Sequence, residues 1–283
     1  MATKFSFLGD TDAKARLSEI LGNFELPRFR KAIFETLRRL RDPDSSNNQI
    51  GQVMSTDADL VSRVMRTVNS TAYAPRCPIT SLDHAIAMMG NSALERIVMV
   101  IGARAAMPSK VPQYMVLKEF WKTAGKRAVL AKEIAEATAP AKANLSFSAG
   151  FLQDLSVPLI AASKGDAYSI VYTASTKGEG DLHTLEKEVF GWDHAELGTM
   201  VCSEWDLPED LAGAIMYQNV PDSALCPAPA SYVASLCDAQ PESWNEHFTQ
   251  IVKSKHPNMS EERIKEIIAA CGSKADELAK MLG

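Results

Sequence analysis

Apolar residues recur at intervals of three and four along most of this chain, and that spacing constrains its fold more than any other feature. Leu17, Ile20 and Leu21 share one helical face, and Leu60 and Val64 share another. Such spacing predicts amphipathic helices, each with one side packed into a core. The period-two alternation and turn dipeptides that mark strands are nearly absent. We therefore predict an all-α protein.

Local signals predict where the first helices begin and end. Serine and aspartate residues suited to capping stand before several apolar runs, and glycine or proline follows others. The predicted helices are 13–22; one that begins at Leu26-Pro27, carries Phe29 on its apolar face and ends at Asp42-Pro43; one capped by Ser45 or Ser46; one started by Thr56-Asp57; a short one capped by Ser81 that stops at Gly90; and a longer one from Asn91.

Composition and charge narrow the classes of function. The 283 residues carry 46% hydrophobic and 23% charged side chains and a net charge of −5. This balance suits a globular protein and argues against a nucleic-acid binder, whose surface is usually basic. The first residues lack an apolar stretch of signal-peptide length, and no uninterrupted run approaches the roughly 20 residues of a membrane span. We therefore expect a cytoplasmic protein that contacts no membrane.

The pattern of cysteines also favours a cytoplasmic location. They are scattered, odd in number and form no Cys-x-x-Cys pair, which favours free thiols in a reducing environment. They are Cys77, Cys202, Cys226, Cys237 and Cys271.

A carboxylate interrupts the apolar segment 150–160, which reads Gly-Phe-Leu-Gln-Asp-Leu-Ser-Val-Pro-Leu-Ile. Burying Asp154 is unfavourable unless it is paired, hydrogen-bonded or bound to a cation. Pro158 is unsuited to continuing a helix through the segment. We therefore predict a central buried element in which Asp154 has a specific partner.

Short motifs follow one another in order along residues 15–225. They are Leu26-Pro27, Arg41-Asp-Pro-Asp44, Ile50-Gly-Gln-Val53, Asp57-Ala-Asp-Leu60, Val68-Asn-Ser-Thr-Ala-Tyr73, Pro78-Ile-Thr-Ser-Leu82, Ala85–Gly90, Leu94-Glu-Arg-Ile97, Phe120-Trp121, Gly150–Ile160, Phe190–Gly198 and Trp205-Asp-Leu-Pro208. The series resembles the HDOD family, output-type relatives of HD-domain phosphohydrolases in bacterial signalling proteins. The resemblance implies an N-terminal helical bundle packed on a degenerate HD-like bundle.

The resemblance also implies where catalytic relatives would hold a metal, and this chain departs from that pattern. Relatives place a first His ligand at Thr123, a His-Asp pair at Gln153-Asp154 and a His-His pair at Gln218-Asn219, whereas His194 keeps the family's His. Threonine and glutamine are poor ligands for transition metals. We predict no metal and no cofactor. Asp154 is expected to accept hydrogen bonds from Thr123, Lys122 or a backbone amide, and His194 to make a capping or interhelical hydrogen bond.

A run of basic residues on the second predicted helix is the strongest charge feature. Three interpretations remain open: a solvated helix face, a docking face for an acidic partner or phosphorylated ligand, and a DNA contact, which the overall charge disfavours. The residues are Arg28, Arg30, Lys31, Arg38, Arg39 and Arg41.

These observations predict an organisation and a function. The chain is divided into a tail at 1–12, an N-terminal subdomain at 13–112, an HD-like subdomain at 113–225 and a helical extension at 226–283. The extension either packs back on the HD-like subdomain or covers a partner-binding face. The resemblance implies a non-catalytic signalling adaptor with protein partners and a possible nucleotide-like ligand. The alternative is a divergent metal-dependent phosphohydrolase, acting on nucleotides or cyclic dinucleotides and using Asp154, His194 and further acids that the pattern does not identify.

Overall fold

The described part of the chain is mostly helical. A computed structural model describes residues 10–69, 77–220, 226–228, 230, 233 and 244–282, and contains no strand among them. This confirms the all-α prediction. The helices are α1 (Asp10–Leu21), α2 (Lys31–Arg41), α3 (Asn47–Met54), α4 (Ala58–Val68), α5 (Leu82–Ala105), α6 (Leu117–Thr138), α7 (Ala143–Leu152), α8 (Val157–Lys164), α9 (Asp166–Thr176), α10 (Leu182–Phe190), α11 (His194–Glu204), α12 (Glu209–Met216), α13 (Trp244–Lys255) and α14 (Glu261–Leu282), with a 3-10 turn at Pro140–Lys142.

Most predicted helix starts coincide with capping side chains. Ser46, not Ser45, caps α3 in a reciprocal pair: its hydroxyl accepts from the Gln49 amide at 3.3 Å, and Gln49 Oε1 accepts from the Ser46 amide at 2.8 Å. Asp57 and Ser81 cap α4 and α5 in one direction only, since their side chains accept from the Leu60 and His84 amides. Each cap satisfies backbone N–H groups that a helix start leaves without a partner. Gly90 breaks α5, as predicted, because its φ of 71° is not helical.

The predicted start of α2 at Leu26-Pro27 is wrong. The helix begins at Lys31, and Arg30 before it has extended backbone (φ −62°, ψ 132°). Phe29 therefore lies ahead of the helix and not on its apolar face. It still packs inward, since a Cβ on Gly102 of α5 would lie 2.5 Å from Phe29 Cζ.

The chain separates into two compact units. The larger comprises Met1–Pro27 and Pro108–Ala275, and the smaller comprises Arg28–Met107 and Asp276–Gly283. Compact units are not by themselves folding domains, so the sequence-based division at 13–112, 113–225 and 226–283 stays a prediction. The candidate site lies in the larger unit.

The C-terminal helices complete a core around α6. Phe248 and Val252 of α13 and Ile264 and Ile267 of α14 are all fully buried in a cluster that includes Leu130 of α6. Of the two roles predicted for the extension, packing back on the HD-like part is the one observed for its described residues up to Ala275.

A buried carboxylate reinforces this docking. Glu133 of α6 is 4% exposed and pairs with Lys274, and Arg263 Nη2 lies 3.6 Å from its second oxygen. The two cations of α14 compensate a charge that the apolar cluster alone could not accommodate.

Two helical stretches of the described chain are long and apolar enough, by length and composition, to cross a membrane. They are Leu82–Ala105 and Pro140–Lys164, with 50% and 83% of their apolar windows buried inside the protein. Burial of this kind is what core helices show, and α7 and α8 are separated by a turn within the second stretch.

Candidate functional site

The apolar segment 150–160 is two helices joined by a tight turn. Helix α7 ends at Leu152, and α8 begins at Val157 with Pro158 at its second position, where a missing N–H is tolerated. Residues 153–156 form the turn between them. The break predicted from Pro158 is confirmed, and it presents Gln153 and Asp154 at a corner in place of a continuous helix.

Neighbouring helices hold this turn in place. The Gln218 side-chain amide donates to the Gln153 backbone oxygen at 2.8 Å, and the Ser156 hydroxyl donates to the His194 backbone oxygen at 2.6 Å. Gly150 lets α7 approach α6 closely, because a Cβ there would lie 2.9 Å from the Arg127 carbonyl oxygen. The turn therefore has a fixed position.

Asp154 has a cationic partner that sequence reasoning missed. One carboxylate oxygen is bonded by Arg127 Nη1, and the other lies 3.5 Å from His194 Nε2. The Asp154 side chain is 18% exposed and that of Arg127 is 16% exposed. Burial alone would raise the pKa of Asp154, but Arg127 and His194 outweigh it and hold that pKa below its usual value. The acceptor role predicted for Asp154 is observed, with Arg127 as donor in place of Thr123 or Lys122.

His194 makes the interhelical hydrogen bond that was one of its two predicted roles. Its Nδ1 lies 2.6 Å from Glu186 Oε2 on α10, and the same oxygen accepts from the His194 backbone N–H at 2.8 Å. The neighbouring Asp193 caps α11 by accepting from the Glu196 amide at 2.8 Å. Burial lowers the pKa of the imidazole, yet Glu186 and Asp154 together raise that pKa to about 9. His194 is therefore a buried imidazolium near neutral pH.

Glu186 and Tyr168 extend the arrangement and were not predicted. Both are fully buried, and the Tyr168 hydroxyl donates to Glu186 Oε1. Burial and the Glu186 charge raise the Tyr168 pKa well above its usual value, so the phenol stays protonated. A sequence signal exists: Glu186 stands four residues after Leu182 and four before Phe190, so an acid occupies the apolar stripe of α10.

These side chains form one line of alternating charges, here called the buried polar chain. It runs from Arg127 through Asp154, His194 and Glu186 to the Tyr168 hydroxyl. Two cations face two carboxylates, so the chain is neutral overall. The buried polar chain therefore cross-links α6, the turn, α11, α10 and α9. Its two carboxylates and its imidazole are already paired with one another.

Two of the remaining predicted positions, Gln153 and Gln218, meet at the turn. Gln153 and Gln218 are 3% and 1% exposed, and their contact brings both to the turn beside Asp154. Asn219 directly follows Gln218 in the sequence. Thr123 is half-buried on α6, one turn before Arg127. The structure thus brings together Gln153, Asp154, His194 and Gln218.

The residues present do not fit a transition-metal ion. A ligating imidazole must offer a lone pair, whereas both His194 nitrogens already face carboxylates, Nδ1 at 2.6 Å from Glu186 and Nε2 at 3.5 Å from Asp154. Asp154 is already neutralised by Arg127. The amide and hydroxyl groups of Gln153, Gln218 and Thr123 are weaker ligands for transition metals than imidazole or carboxylate groups. Within the described ranges, no group of three or more His, Cys, Asp or Glu side chains is placed to hold a metal.

The basic residues of the smaller unit are partly engaged with acids. Arg30 contacts Asp57 and Asp59 at 2.9 Å each. Arg38 lies 2.7 Å from Glu35, and Arg41 lies 2.5 Å from Glu95. Arg28 and Lys31 are exposed, and Arg39 is half-buried. The docking role of this face stays a prediction.

We expect the stability of the protein to fall between pH 6.5 and 9. The pKa of His194 is about 9 in the folded chain against an ordinary value of 6.5, so the folded state holds the proton more tightly. Its stabilisation, on the order of 3 kcal/mol, is complete below the unfolded pKa and is lost as pH rises through the folded one. Asp154 acts oppositely, because its lowered pKa gives stabilisation that is lost in strong acid.

Urea unfolding across this range, with NMR titration of the His194 ring, would measure the effect. The His194→Gln variant is the control and should show a flatter pH dependence between pH 6.5 and 9. An imidazole midpoint near the ordinary value would contradict the assignment.

Comparison with solved structures assigns the fold to a class, and a sequence match then assigns the chain to a family. The chain resembles a protein of Shewanella amazonensis SB2B provisionally named as a phosphohydrolase: they are 26% identical, the TM-score is 0.73, and 96% of this chain and 98% of the other are covered. An HDOD domain protein of unknown function from Geobacter sulfurreducens has the same fold at 20% identity and a TM-score of 0.73, covering 96% and 98%. The class is therefore that of the helical HD-like proteins.

The family follows from the sequence match. The HDOD domain matches residues 26–221, and the chain belongs to the HDOD domain family. A protein of Marinobacter aquaeolei VT8 provisionally named for signal transduction shares the fold at 17% identity and a TM-score of 0.75, covering 96% of this chain and 66% of that one. An uncharacterised protein of Treponema pallidum is 22% identical over 69% of this chain, which spans 38% of that relative's length.

Proposed function

We propose that this HDOD protein is a non-catalytic signal-transduction adaptor that acts through protein contacts in the cytoplasm. The observation that carries the proposal is the partnering of Asp154 and His194. Arg127 bonds the carboxylate, and the imidazolium bridges Asp154 and Glu186. These groups act as cross-links: Arg127 already neutralises the Asp154 carboxylate, and both imidazole nitrogens already face carboxylates. The name of the Marinobacter relative supports a signalling role.

We expect the purified, untagged protein to contain close to no transition metal per chain. The physical reason is that the ligand-type residues at the turn are already paired. Elemental analysis of protein prepared without chelators measures the metal, and assays with nucleotides and cyclic dinucleotides measure turnover. One or more tightly held ions per chain, together with metal-dependent turnover, would overturn the adaptor proposal.

A divergent metal-dependent phosphohydrolase is the second candidate. The similarity to the Shewanella protein favours it, because that relative is provisionally named as a phosphohydrolase. In that case Asp154 would serve a metal, and Asp154→Asn would abolish turnover. Under the adaptor proposal Asp154→Asn affects stability alone, so the two candidates differ in the assay.

The basic residues of α2 are the proposed contact for an acidic partner or a small phosphorylated, nucleotide-like ligand. We expect Arg38→Glu with Arg39→Glu to weaken capture of a signalling partner at least tenfold without unfolding the chain, because Arg38 is exposed and its pair with Glu35 contributes little. Pull-down with circular dichroism measures both effects. Arg16→Glu, exposed on α1, is the control. Unchanged capture of every recovered partner would remove this face from the proposal.

A further inference from the structure

Two half-buried tyrosines of the larger unit form an angled pair at its surface. The rings of Tyr114 and Tyr172 are tilted by 49° to one another, and their centroids lie 5.7 Å apart. Both side chains keep part of their area in solvent. The ring of Tyr172 also lies beside that of the buried Tyr168, with 6.2 Å between the centroids. The pair therefore adjoins the buried polar chain and leads from it to the surface.

The first two turns of α9 hold Tyr114 in place. Its hydroxyl donates at 2.8 Å to the backbone oxygen of Gly165, the residue before the helix, while its ring lies against Tyr172 further along the helix. A helical side chain leans toward the N-terminus of its own helix, so the Tyr172 ring is directed back toward this start. Both rings are thus positioned in advance, which reduces the cost of ordering them when a ligand binds.

The charges around the pair are negative on balance. Burial and the exposed carboxylate of Asp166 raise the pKa of Tyr114 to about 12. Burial and Asp154 raise the pKa of Tyr172 as well, and Arg127, which is bonded to Asp154, opposes them by a smaller amount. A surface of this kind attracts a positive group and repels a negative one.

An arginine side chain is the cation whose shape suits this arrangement. A guanidinium group is planar, so it stacks on an aromatic face, and its N–H donors can reach oxygen atoms at the edge of the ring. The site offers two ring faces, the Asp166 carboxylate and the lone pairs of the tyrosine hydroxyls as acceptors. A lysine ammonium has no plane to stack and is more strongly hydrated, so it fits less well.

We propose that Tyr114, Tyr172 and Asp166 form a docking site for an arginine side chain of a protein partner. The guanidinium lies against the rings and pairs with the carboxylate of Asp166. The site takes the opposite charge from the one that suits the basic residues of α2, so it is a second contact with a different chemistry. It goes beyond the adaptor proposal, because it requires only these three residues of the larger unit.

NMR titration of the full chain with acetylated and amidated tripeptides tests the site. The probes are Gly-Arg-Gly and the same peptide with citrulline in place of arginine, which keeps the planar shape and loses the charge. We expect the arginine peptide to shift the ring signals of Tyr114 and Tyr172 and to bind about threefold or more tightly than the citrulline peptide, the size of a cation–π contact at a partly exposed site. Equal binding of the two peptides, or no response of either ring, would overturn the proposal.

Variants of the same chain locate the binding. Tyr172→Leu removes a ring face and should weaken arginine binding about threefold or more, whereas Tyr172→Phe keeps the face and should retain most of it. Asp166→Asn changes an exposed side chain and leaves the core intact, and it should also weaken binding, while Asp44→Asn, the same change at an exposed position of the smaller unit, should not.

Arginine binding that survives both Tyr172→Leu and Asp166→Asn belongs to another surface and contradicts the proposed site. If Tyr172→Leu does not fold, Asp166→Asn and the citrulline peptide still decide the question. Neither result alters the adaptor proposal, which metal content and partner capture through α2 test separately.

Discussion

Replacing Arg127 with methionine is expected to lower the free energy of unfolding by about 3–5 kcal/mol, the usual effect of removing one partner of a buried ion pair. The methionine keeps the side-chain length but leaves Asp154, 18% exposed, with only the more distant His194 as a cation. The carboxylate then loses its principal counter-charge in a poorly hydrated place.

Chemical denaturation of the variant and the parent protein measures this loss. Arg16→Met is the matched control, because its pair with Glu19 is 42% and 69% exposed and should contribute less than about 1 kcal/mol. The double variant Arg127→Met with Asp154→Asn should be more stable than Arg127→Met alone, since no unpaired charge remains. Equal, small effects at Arg127 and Arg16 would contradict the buried polar chain.

Replacing Phe248 with alanine is expected to destabilise the protein by about 3–5 kcal/mol. Phe248 is 0% exposed in the cluster that joins α13 and α14 to α6, so the substitution leaves a cavity in that core. The prediction treats the C-terminal helices as part of the larger unit's core.

Thermal or urea unfolding provides the measurement for Phe248→Ala as well. Gln250→Ala lies two residues away on the exposed side of α13 and should change stability by less than about 0.5 kcal/mol. If Phe248→Ala were equally mild, the C-terminal helices would not be packed on α6 in solution.

Features that depend on neighbouring residues could be predicted from the sequence. Ser46, Asp57 and Ser81 cap helices through groups three residues away, Gly90 breaks α5 through its own backbone, and Pro158 separates α7 from α8. Each of these effects acts within one helical turn, so the residue pattern contains the necessary information.

Features that depend on distant partners could not be predicted in the same way. Arg127 lies 27 residues from Asp154, and Tyr168 lies 18 residues from Glu186. The predicted start of α2 was wrong for a related reason. Arg30 pairs with Asp57 and Asp59, which are distant in the sequence. Its backbone is extended at the position where the Leu26-Pro27 pattern predicted a helix. Propensity gives no information on such contacts, and tertiary packing overrides it.

The buried polar chain also bears on the order in which the larger unit assembles. Its charges come from four segments, and no charge can leave water before its partner arrives without a penalty of several kcal/mol. A partly assembled state with α10 docked and α11 undocked would leave the fully buried Glu186 without His194. Such intermediates are disfavoured, so these segments should assemble and separate together. The same line of charges that fixes the folded form therefore makes the unit cooperative.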